Sequence, residues 1–242
     1  MELNGKVALV TGGAVRLGKA LTLALAGAGA RVAVHYGRSA ESAAATVTEA
    51  RTLGSEAEAF QADLRVAGNA GLLLEDAVAR FGQVDILVNS AAIFEPGDLA
   101  DTTEALWNAH FDTNLKAPFF LSQAFAAHVA NRRPGHIVNI ADWRATRPGP
   151  HYLAYTLTKA ALITMTRSLA LALAPAIQVN AIAPGAILPP PGKDREYLER
   201  LAEGIPLMRA GSPDDVAQAL LFLLRADFVT GELVFITGGE HL

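Results

Sequence analysis

The first 27 residues of the chain have the pattern strand, glycine-bearing turn, helix. An apolar, β-branched run covers residues 6–10, the turn covers residues 11–18, and helical patterning extends over residues 19–27. Glycine permits close backbone approach, and a helix N-terminus presents free N–H groups, so this arrangement is a candidate pyrophosphate site. The alternative is an ordinary connection between a strand and a helix.

The same alternation continues to the end of the chain. Strand patterns cover residues 6–10, 31–35, 56–60, 84–88, 135–140, 176–182 and 232–236, and helical patterns cover residues 19–27, 40–53, 67–81, 103–130, 152–174 and 213–224. This count predicts an α/β fold: a doubly wound, Rossmann-type three-layer α/β/α arrangement with seven parallel strands in the order 3-2-1-4-5-6-7. Without a repeat or a linker, residues 1–242 are expected to form one domain. The long insertion around residues 186–205 is expected to be a functional lid over the substrate.

Composition excludes several classes of protein. The chain is 51% hydrophobic and 18% charged, yet no uninterrupted apolar run is long enough to cross a bilayer. A net charge of −4 without a basic cluster predicts no nucleic-acid partner. There are no cysteines, the histidines lack metal-ligand spacing, and the N-terminus lacks a signal pattern, so we expect no metal, no membrane partner and a cytoplasmic location.

The end of the second strand pattern indicates which cofactor the turn would accept. An NAD site usually has a carboxylate at this position, which accepts a hydrogen bond from the ribose 2′-hydroxyl. Here the strand ends in His35 and Tyr36, followed by Arg38 and Ser39. Together with Arg16, these side chains can surround a 2′-phosphate, which favours NADPH. The alternative is that Arg38 is a solvated charge and Ser39 only the N-cap of the next helix.

A third group of polar residues lies on and before the helical pattern at 152–174. Tyr155 and Lys159 are four residues apart and share one helix face, and Asp142 precedes Tyr155 by thirteen residues. A lysine cation close to a phenol stabilises the phenolate, so we expect Lys159 to lower the pKa of Tyr155 and make it a proton donor. Taken alone, the pair is more often a plain helix face, and the rest of the chain favours the functional interpretation.

The ordered set of motifs resembles the short-chain dehydrogenase/reductase family from end to end. The turn at residues 11–18 is similar to the family's T-G-x-x-x-G-x-G turn, with Arg16 in place of the middle glycine. The other matching motifs are Asn89-Ser90-Ala91-Ala92, Asn114, Tyr155-x-x-x-Lys159, Pro184-Gly185 and Gly238-Gly239.

The resemblance implies a set of functional residues. Catalysis would rest on Asp142, Tyr155, Lys159 and Asn114, with Asn114 holding a water beside the lysine. In the family, the residue that matches Asp63 approaches the adenine amino group, although Asp63 could instead cap the following helix. The residues expected to bind NADPH or NADP+ are Thr11, Gly12, Arg16, Leu17, Gly18, His35, Tyr36, Arg38, Ser39, Asp63, Leu64, Asn89, Ser90, Ala91, Tyr155, Lys159, Pro184, Gly185 and Ile187.

Asp142 stands where most of the family has a serine that donates a hydrogen bond to the substrate carbonyl. This aspartate and Arg16 are similar to the pteridine reductase branch, which implies a dihydropterin or a similar flat heterocycle as substrate. That branch has an aromatic residue at the position of Ile93, and Phe94 or Trp143 would have to replace it. The expected substrate contacts are Arg16, Ile93, Phe94, Asp142, Trp143, Tyr155 and Leu188.

Two other functions remain open at this point. In a carbonyl or 3-oxoacyl reductase, burial would keep Asp142 protonated, so that it donates as serine would. In a non-catalytic NADP-binding sensor, the fold would be retained without the chemistry. The apolar circumference of the helical pattern at 152–174, together with the resemblance, predicts self-association into a homotetramer.

Overall fold

The computed structural model describes residues 1–130, 134–190 and 192–242. A seven-stranded sheet forms its centre, with the strand order 3-2-1-4-5-6-7 and parallel pairing throughout. The predicted fold class and strand order are therefore confirmed. The strands are β1 (Val7–Val10), β2 (Arg31–Tyr36), β3 (Ala57–Gln61), β4 (Ile86–Asn89), β5 (Gly135–Ile140), β6 (Ile177–Pro184) and β7 (Leu233–Ile236).

Helices cover both faces of the sheet and complete the three layers. On β1, Ala8 and Val10 belong to the apolar cluster that includes residues of the first, second and eighth helices, whereas Val7 and Leu9 belong to the cluster that includes residues of the third and fifth helices. Both faces are covered, which explains why β1 is apolar without alternation. The helices are α1 (Arg16–Gly27), α2 (Ala40–Thr52), α3 (Asn69–Phe81), α4 (Glu104–Phe111), α5 (Ala117–Val129), α6 (Leu153–Leu173), α7 (Arg195–Ala202) and α8 (Pro213–Arg225).

The helix predicted over residues 103–130 is interrupted. Between α4 and α5, Asp112–Lys116 forms a π-helical segment, in which the N–H of Ala117 bonds to the carbonyl of Asp112, five residues back. Pro118 follows in the first turn of α5 and has no N–H to donate to an α-helical partner. Such widened turns are frequent at functional sites, and this one contains Asn114.

Other boundaries differ from the predictions by at most a few residues. Helix α1 begins at Arg16, three residues early, because the N–H of Lys19 already bonds to the carbonyl of Val15. Strand β6 continues to Pro184, which is in register with Ile236 of β7. Strand β1 pairs with both β2 and β4, so the chain leaves it in two directions and opens a crevice at the carboxyl ends of the strands.

The insertion around residues 186–205 contains helix α7. Asp194 is its N-cap and accepts a hydrogen bond from the N–H of Tyr197 at 3.3 Å. Pro191, which belongs to the predicted insertion, lies outside the described residues. No helix in the described ranges is long and apolar enough to span a membrane.

Candidate active site

A cavity of about 800 Å³ opens at the carboxyl edge of the sheet, in the crevice beside β1. Most of the predicted site residues line it, while Thr11, Tyr36, Asn89, Asn114 and Trp143 do not. The lining residues that were predicted are Gly12, Arg16, Leu17, Gly18, His35, Arg38, Ser39, Asp63, Leu64, Ser90, Ala91, Ile93, Phe94, Asp142, Tyr155, Lys159, Pro184, Gly185, Ile187 and Leu188.

Two glycines hold the turn after β1 tightly against its surroundings. Gly12 has a φ of +63°, and a Cβ there would lie 2.9 Å from the Cα of Ala91. A Cβ on Gly18 would overlap the carbonyl oxygen of Gly12. Behind the turn, the Thr11 hydroxyl accepts hydrogen bonds from the N–H groups of Ser90 and Ala91 at 2.9 and 3.0 Å. Thr11 therefore supports the turn through the backbone of the loop after β4, and it does not line the cavity.

His35 fixes the same turn from the side of β2. Its Nδ1 accepts a hydrogen bond from the N–H of Gly12 at 3.0 Å, which leaves the proton on Nε2, 3.1 Å from the carbonyl of Ala62. Burial lowers the pKa of His35, so the ring is neutral. The prediction that Tyr36 binds the cofactor is not supported: successive strand residues point to opposite faces, and Tyr36 packs against the core under α1 and α2.

Polar side chains surround the end of the cavity beyond β2. Arg38 and Ser39 both line it, and Ser39 makes no capping hydrogen bond although it stands at the N-cap of α2. Asp63 forms an ion pair with Arg65 at 2.6 Å, and the hydrogen bonds from Arg65 lower the pKa of Asp63 to about 2. Arg65 also lines the cavity, and nothing in the sequence distinguished it from other surface charges.

Arg16 is bound differently from the other predicted phosphate ligands. Its φ is +52°, and its guanidinium donates a hydrogen bond to the carbonyl of Pro189 at 2.6 Å. Arg16 therefore joins the turn after β1 to the insertion that follows β6.

The side chain of Asn89 is buried in the sheet and does not line the cavity. It is 3% exposed, and its Nδ2 donates to Oδ1 of Asn139 at 2.8 Å across β4 and β5. Asn139 in turn donates to the hydroxyl of Thr166 on α6. These three side chains form a buried polar row that links the centre of the sheet to α6.

The geometry of the turn fits the pyrophosphate of a dinucleotide. Helix α1 has no side-chain cap and no acidic residue in its first turn, so its N–H groups remain available to an anion. Gly12 and Gly18 allow the backbone of the turn to pack against Ala91 and against itself, because a Cβ at either position would overlap neighbouring backbone atoms. Arg38 and Ser39 at the far end are suited to a phosphate on the ribose.

Asp142 and Tyr155 are joined directly at the other end of the cavity. The phenol of Tyr155 donates a hydrogen bond to Oδ2 of Asp142 at 2.8 Å. Burial and the adjacent carboxylate raise the pKa of Tyr155 well above its ordinary value. The expectation that Lys159 lowers this pKa is therefore wrong in the structure, because Asp142 contacts the hydroxyl and Lys159 does not.

Lys159 lies one turn further along α6 and is buried. Its Nζ donates to the carbonyl of Ile140 at 2.7 Å and lies 5.6 Å from the centroid of the Tyr155 ring. Burial lowers the pKa of Lys159 to about 8, and the charge of Asp142 opposes part of that change. A cation that loses its proton this close to neutrality is typical of functional sites.

Asn114 is a positioning residue in this structure. Its Oδ1 accepts from the N–H of Ile93 at 2.9 Å, and its Nδ2 donates to the carbonyl of Ile93 at 3.0 Å and to the hydroxyl of Thr158. The side chain of Asn114 therefore holds the loop after β4 against α6, and the water expected beside Lys159 stays a prediction.

Aromatic side chains form one wall beside Asp142 and Tyr155. The ring of Phe94 stacks on Tyr152 with centroids 4.3 Å apart and meets the edge of Tyr155 at 4.7 Å. Both Phe94 and Tyr152 line the cavity, whereas Trp143 does not. The expected contact between Trp143 and the substrate is therefore not supported, and its indole N–H is buried without a partner among the described residues.

The opposite wall comes from the segment after β6 and from α7. Ile187 and Leu188 line the cavity together with Tyr197, Leu198 and Leu201 of α7. Tyr152 and these helix residues were absent from the predicted site. Only the position of Tyr152, one turn before Tyr155, could have indicated it from the sequence.

The fold and this site define a nucleotide-dependent oxidoreductase of the Rossmann type. A family model described as enoyl-(acyl carrier protein) reductase matches residues 13–241. The chain belongs to the short-chain dehydrogenase/reductase family, as the sequence motifs predicted.

Three proteins are similar to this chain over nearly its whole length. FolM alternative dihydrofolate reductase 1 from Brucella suis, in complex with NADP, is 37% identical, with a TM-score of 0.93 over 100% of this chain and 96% of that one. The subunit BbsD of the hydroxy(phenyl)methylsuccinyl-CoA dehydrogenase from Thauera aromatica is 37% identical over 100% of this chain and 99% of its own length. The 3-oxoacyl-acyl-carrier-protein reductase FabG from Staphylococcus aureus is 35% identical over 98% of each chain.

Proposed function

We propose that the protein is an NADPH-dependent reductase of a dihydropterin-type substrate. Asp142 carries this proposal, because a carboxylate stands at the substrate end of the cavity and accepts hydrogen bonds from Tyr155 and from the N–H of Arg144, at 2.8 Å each. That position therefore offers an acceptor where a ketone reductase needs a donor.

The chemistry of the two substrate classes separates them at this carboxylate. Negative charge develops on a ketone oxygen as it accepts hydride, and an ionised Asp142 would repel that charge. A pterin ring carries N–H and NH₂ groups that a carboxylate can accept. Reduction of its C=N bond requires a proton on nitrogen, which is compatible with a nearby negative charge.

The residues of the chain supply the proton and the charge balance. NADPH, when bound, supplies the hydride. Tyr155 is a neutral phenol, because its pKa is raised, and it holds the proton that the ring nitrogen requires. Lys159 and Arg144 place two cations beside Asp142 and Tyr155, and Asn114 fixes the adjoining loop through Ile93.

The cofactor is NADP(H). Arg38 and Ser39 line the end of the cavity where a ribose 2′-phosphate would lie, and the carboxylate of Asp63 is engaged by Arg65. The Brucella FolM structures, which contain NADP, support the cofactor, and their description as alternative dihydrofolate reductases supports a pterin-type substrate.

A 3-oxoacyl or other carbonyl reductase is the second candidate, supported by the similarity to FabG. This function requires that Asp142 donates a hydrogen bond to the substrate carbonyl, as serine would. A non-catalytic NADP-binding sensor is disfavoured, because such a protein has no use for the buried Tyr155 and Lys159.

We also propose that the chain acts as one domain and assembles into a homotetramer. An apolar cleft of about 510 Å³ lies beside α6, and Phe119 and Phe120 at its edge are 42% and 45% exposed. A second copy would cover this surface. Light scattering at micromolar concentration should give a mass above that of a monomer. A cytoplasmic location remains an expectation.

A panel of substrates tests the function directly. NADPH oxidation should be fastest with dihydropterins, slower with dihydrofolate, and slow with simple ketones and a 3-oxoacyl thioester. If the protein reduced ketones well and pterins not at all, the pterin reductase proposal would be rejected and the carbonyl reductase function would replace it.

Asp142→Ser tests the role of the carboxylate. It should lower dihydropterin reduction by about 10²-fold or more, because a positioned group for proton transfer or substrate orientation is lost. NADPH affinity should be nearly unchanged, and activity on ketones should rise because serine restores a donor. Full pterin activity in this variant would contradict an ionised role for Asp142.

A further inference from the structure

Arg144 presents a cation to the cavity directly beside the carboxylate of Asp142. It belongs to the short 3-10 turn Trp143–Ala145, and its backbone N–H donates to Oδ1 of Asp142 at 2.8 Å. Its guanidinium Nη1 lies 3.6 Å from that same oxygen. The turn therefore places a hydrogen-bond acceptor and a set of donors side by side at the substrate end.

Two aromatic rings lie close to the Arg144 guanidinium. Its Cζ lies 5.9 Å from the centroid of Phe94 and 5.2 Å from that of Trp143. One third of the side chain remains exposed. Within the described part of the chain, the guanidinium makes an ion pair with Asp142 and donates no hydrogen bond, so most of its five N–H donors are available.

Arg16, the other arginine near the substrate end, is already engaged. Its guanidinium donates to the carbonyl of Pro189, so part of its donor capacity holds the insertion in place. Arg144 is therefore better placed to contact a substrate that lies against Asp142.

We propose that Arg144 determines substrate specificity. Together with Asp142, it recognises a cis-amide edge on the substrate ring, which is a ring N–H next to a ring carbonyl. The carboxylate accepts the ring N–H, and the guanidinium donates to the neighbouring ring carbonyl. This inference rests on the proposed function, and it names the part of the heterocycle that the site recognises. A simple ketone offers no N–H to Asp142, and an amino group in place of the ring carbonyl opposes the donors of Arg144.

The test compares two ring systems in several variants. The substrates are 6-methyl-7,8-dihydropterin, which has the amide edge, and its 4-amino analogue, 2,4-diamino-6-methyl-7,8-dihydropteridine. Values of kcat and KM for both are measured by NADPH oxidation in the unmodified protein, Arg144→Gln and Arg144→Lys. Arg225→Gln is the matched control, because Arg225 is exposed at the end of α8 and does not line the cavity.

The unmodified protein should prefer the 4-oxo substrate in kcat/KM. Arg144→Gln should raise its KM about 10- to 100-fold, as expected for a lost charge-assisted hydrogen bond, and should reduce the preference by a similar factor. Arg144→Lys should restore part of the preference because it retains a charged donor, and Arg225→Gln should change nothing.

Two outcomes would overturn the proposal. One is an unmodified protein that reduces both ring systems equally well, which requires no variant to fold. The other is an unchanged preference in folded Arg144→Gln, even with a lower kcat, which would mean that Arg144 only balances the charge of Asp142. In both cases reduction of the dihydropterin by the unmodified protein would leave the proposed function intact, whereas no reduction of it would reject that function first.

Discussion

The two ends of the cavity are built on different physical principles. At the cofactor end, around the turn after β1 and the end of β2, the side chains form hydrogen bonds and an ion pair with their neighbours. Thr11 accepts hydrogen bonds from the N–H groups of Ser90 and Ala91. His35 accepts one from the N–H of Gly12, and Asp63 forms an ion pair with Arg65. At the substrate end, buried ionisable groups face one another, and burial shifts the pKa of both Tyr155 and Lys159.

This difference separates binding from chemistry. The first end needs a rigid shape and backbone N–H groups, so its side chains mainly maintain the backbone. The second end needs groups that exchange protons, so its charges are kept close together and away from water. Perturbing one end should therefore affect the other only weakly.

The largest expected effect lies at the substrate end. Tyr155→Phe removes the proton donor and should lower kcat by about 10²- to 10⁴-fold. NADPH affinity, measured by fluorescence titration, should change little because the turn after β1 is untouched. A comparable loss of NADPH affinity would show that the two ends are not independent.

The next effect lies at the cofactor end and should leave the chemistry unchanged. Arg38→Ala should weaken NADPH binding by about 1.5 to 3 kcal/mol, the contribution of a charge-assisted hydrogen bond, while NADH binding stays constant. The dissociation constants for both nucleotides provide the measurement. Parallel losses would make Arg38 a structural residue.

A pair of glycines in α1 tests how rigid the cofactor end must be. Gly18→Ala should lower the free energy of unfolding by about 1 to 3 kcal/mol, because its Cβ would overlap the carbonyl oxygen of Gly12. Gly27→Ala, in the same helix with no atom close to the added Cβ, should raise it by up to about 1 kcal/mol. Urea denaturation compares the two, and equal stabilities would contradict the close approach.

The smallest effect is a pH dependence confined to the substrate end. With its pKa lowered to about 8, Lys159 carries its charge below that pH and loses it above. The kcat/KM for NADPH should therefore fall about tenfold from about pH 7 to about pH 9.

Two controls locate this pH dependence. Lys159→Arg should abolish the decline, since a guanidinium keeps its proton throughout this range. Binding of adenosine 2′,5′-bisphosphate, which occupies only the cofactor end, should stay constant. If that binding also declined with pH, the titrating group would lie at the cofactor end, which would contradict this prediction.

Local sequence patterns predicted the sheet because each strand–helix unit carries its own signal. The apolar run at Val7–Val10 and the glycines after it indicate a buried strand followed by a tight turn, and this signal is contained in the segment itself. The motif spacing likewise identified Tyr155, Lys159 and Asp142. The sequence patterns did not predict the π-helical segment at Asp112–Lys116. Helical periodicity does not reveal where a backbone N–H bonds to the carbonyl five residues back and not four.

The roles of individual side chains depended on contacts between distant parts of the chain. The spacing in the sequence determined that Tyr155 and Lys159 share a helix face, and the resemblance to the family showed that Asp142 stands where most members have a serine. Only the tertiary structure decided that Tyr155 donates to Asp142 and that Asn114 holds the backbone of Ile93. The structure also shows that Tyr36 packs against the core and that the side chain of Asn89 bonds to Asn139, so neither lines the cavity. The physical reason is that a pKa and a hydrogen-bond partner depend on distance and burial, which are set by packing and not by position along the chain.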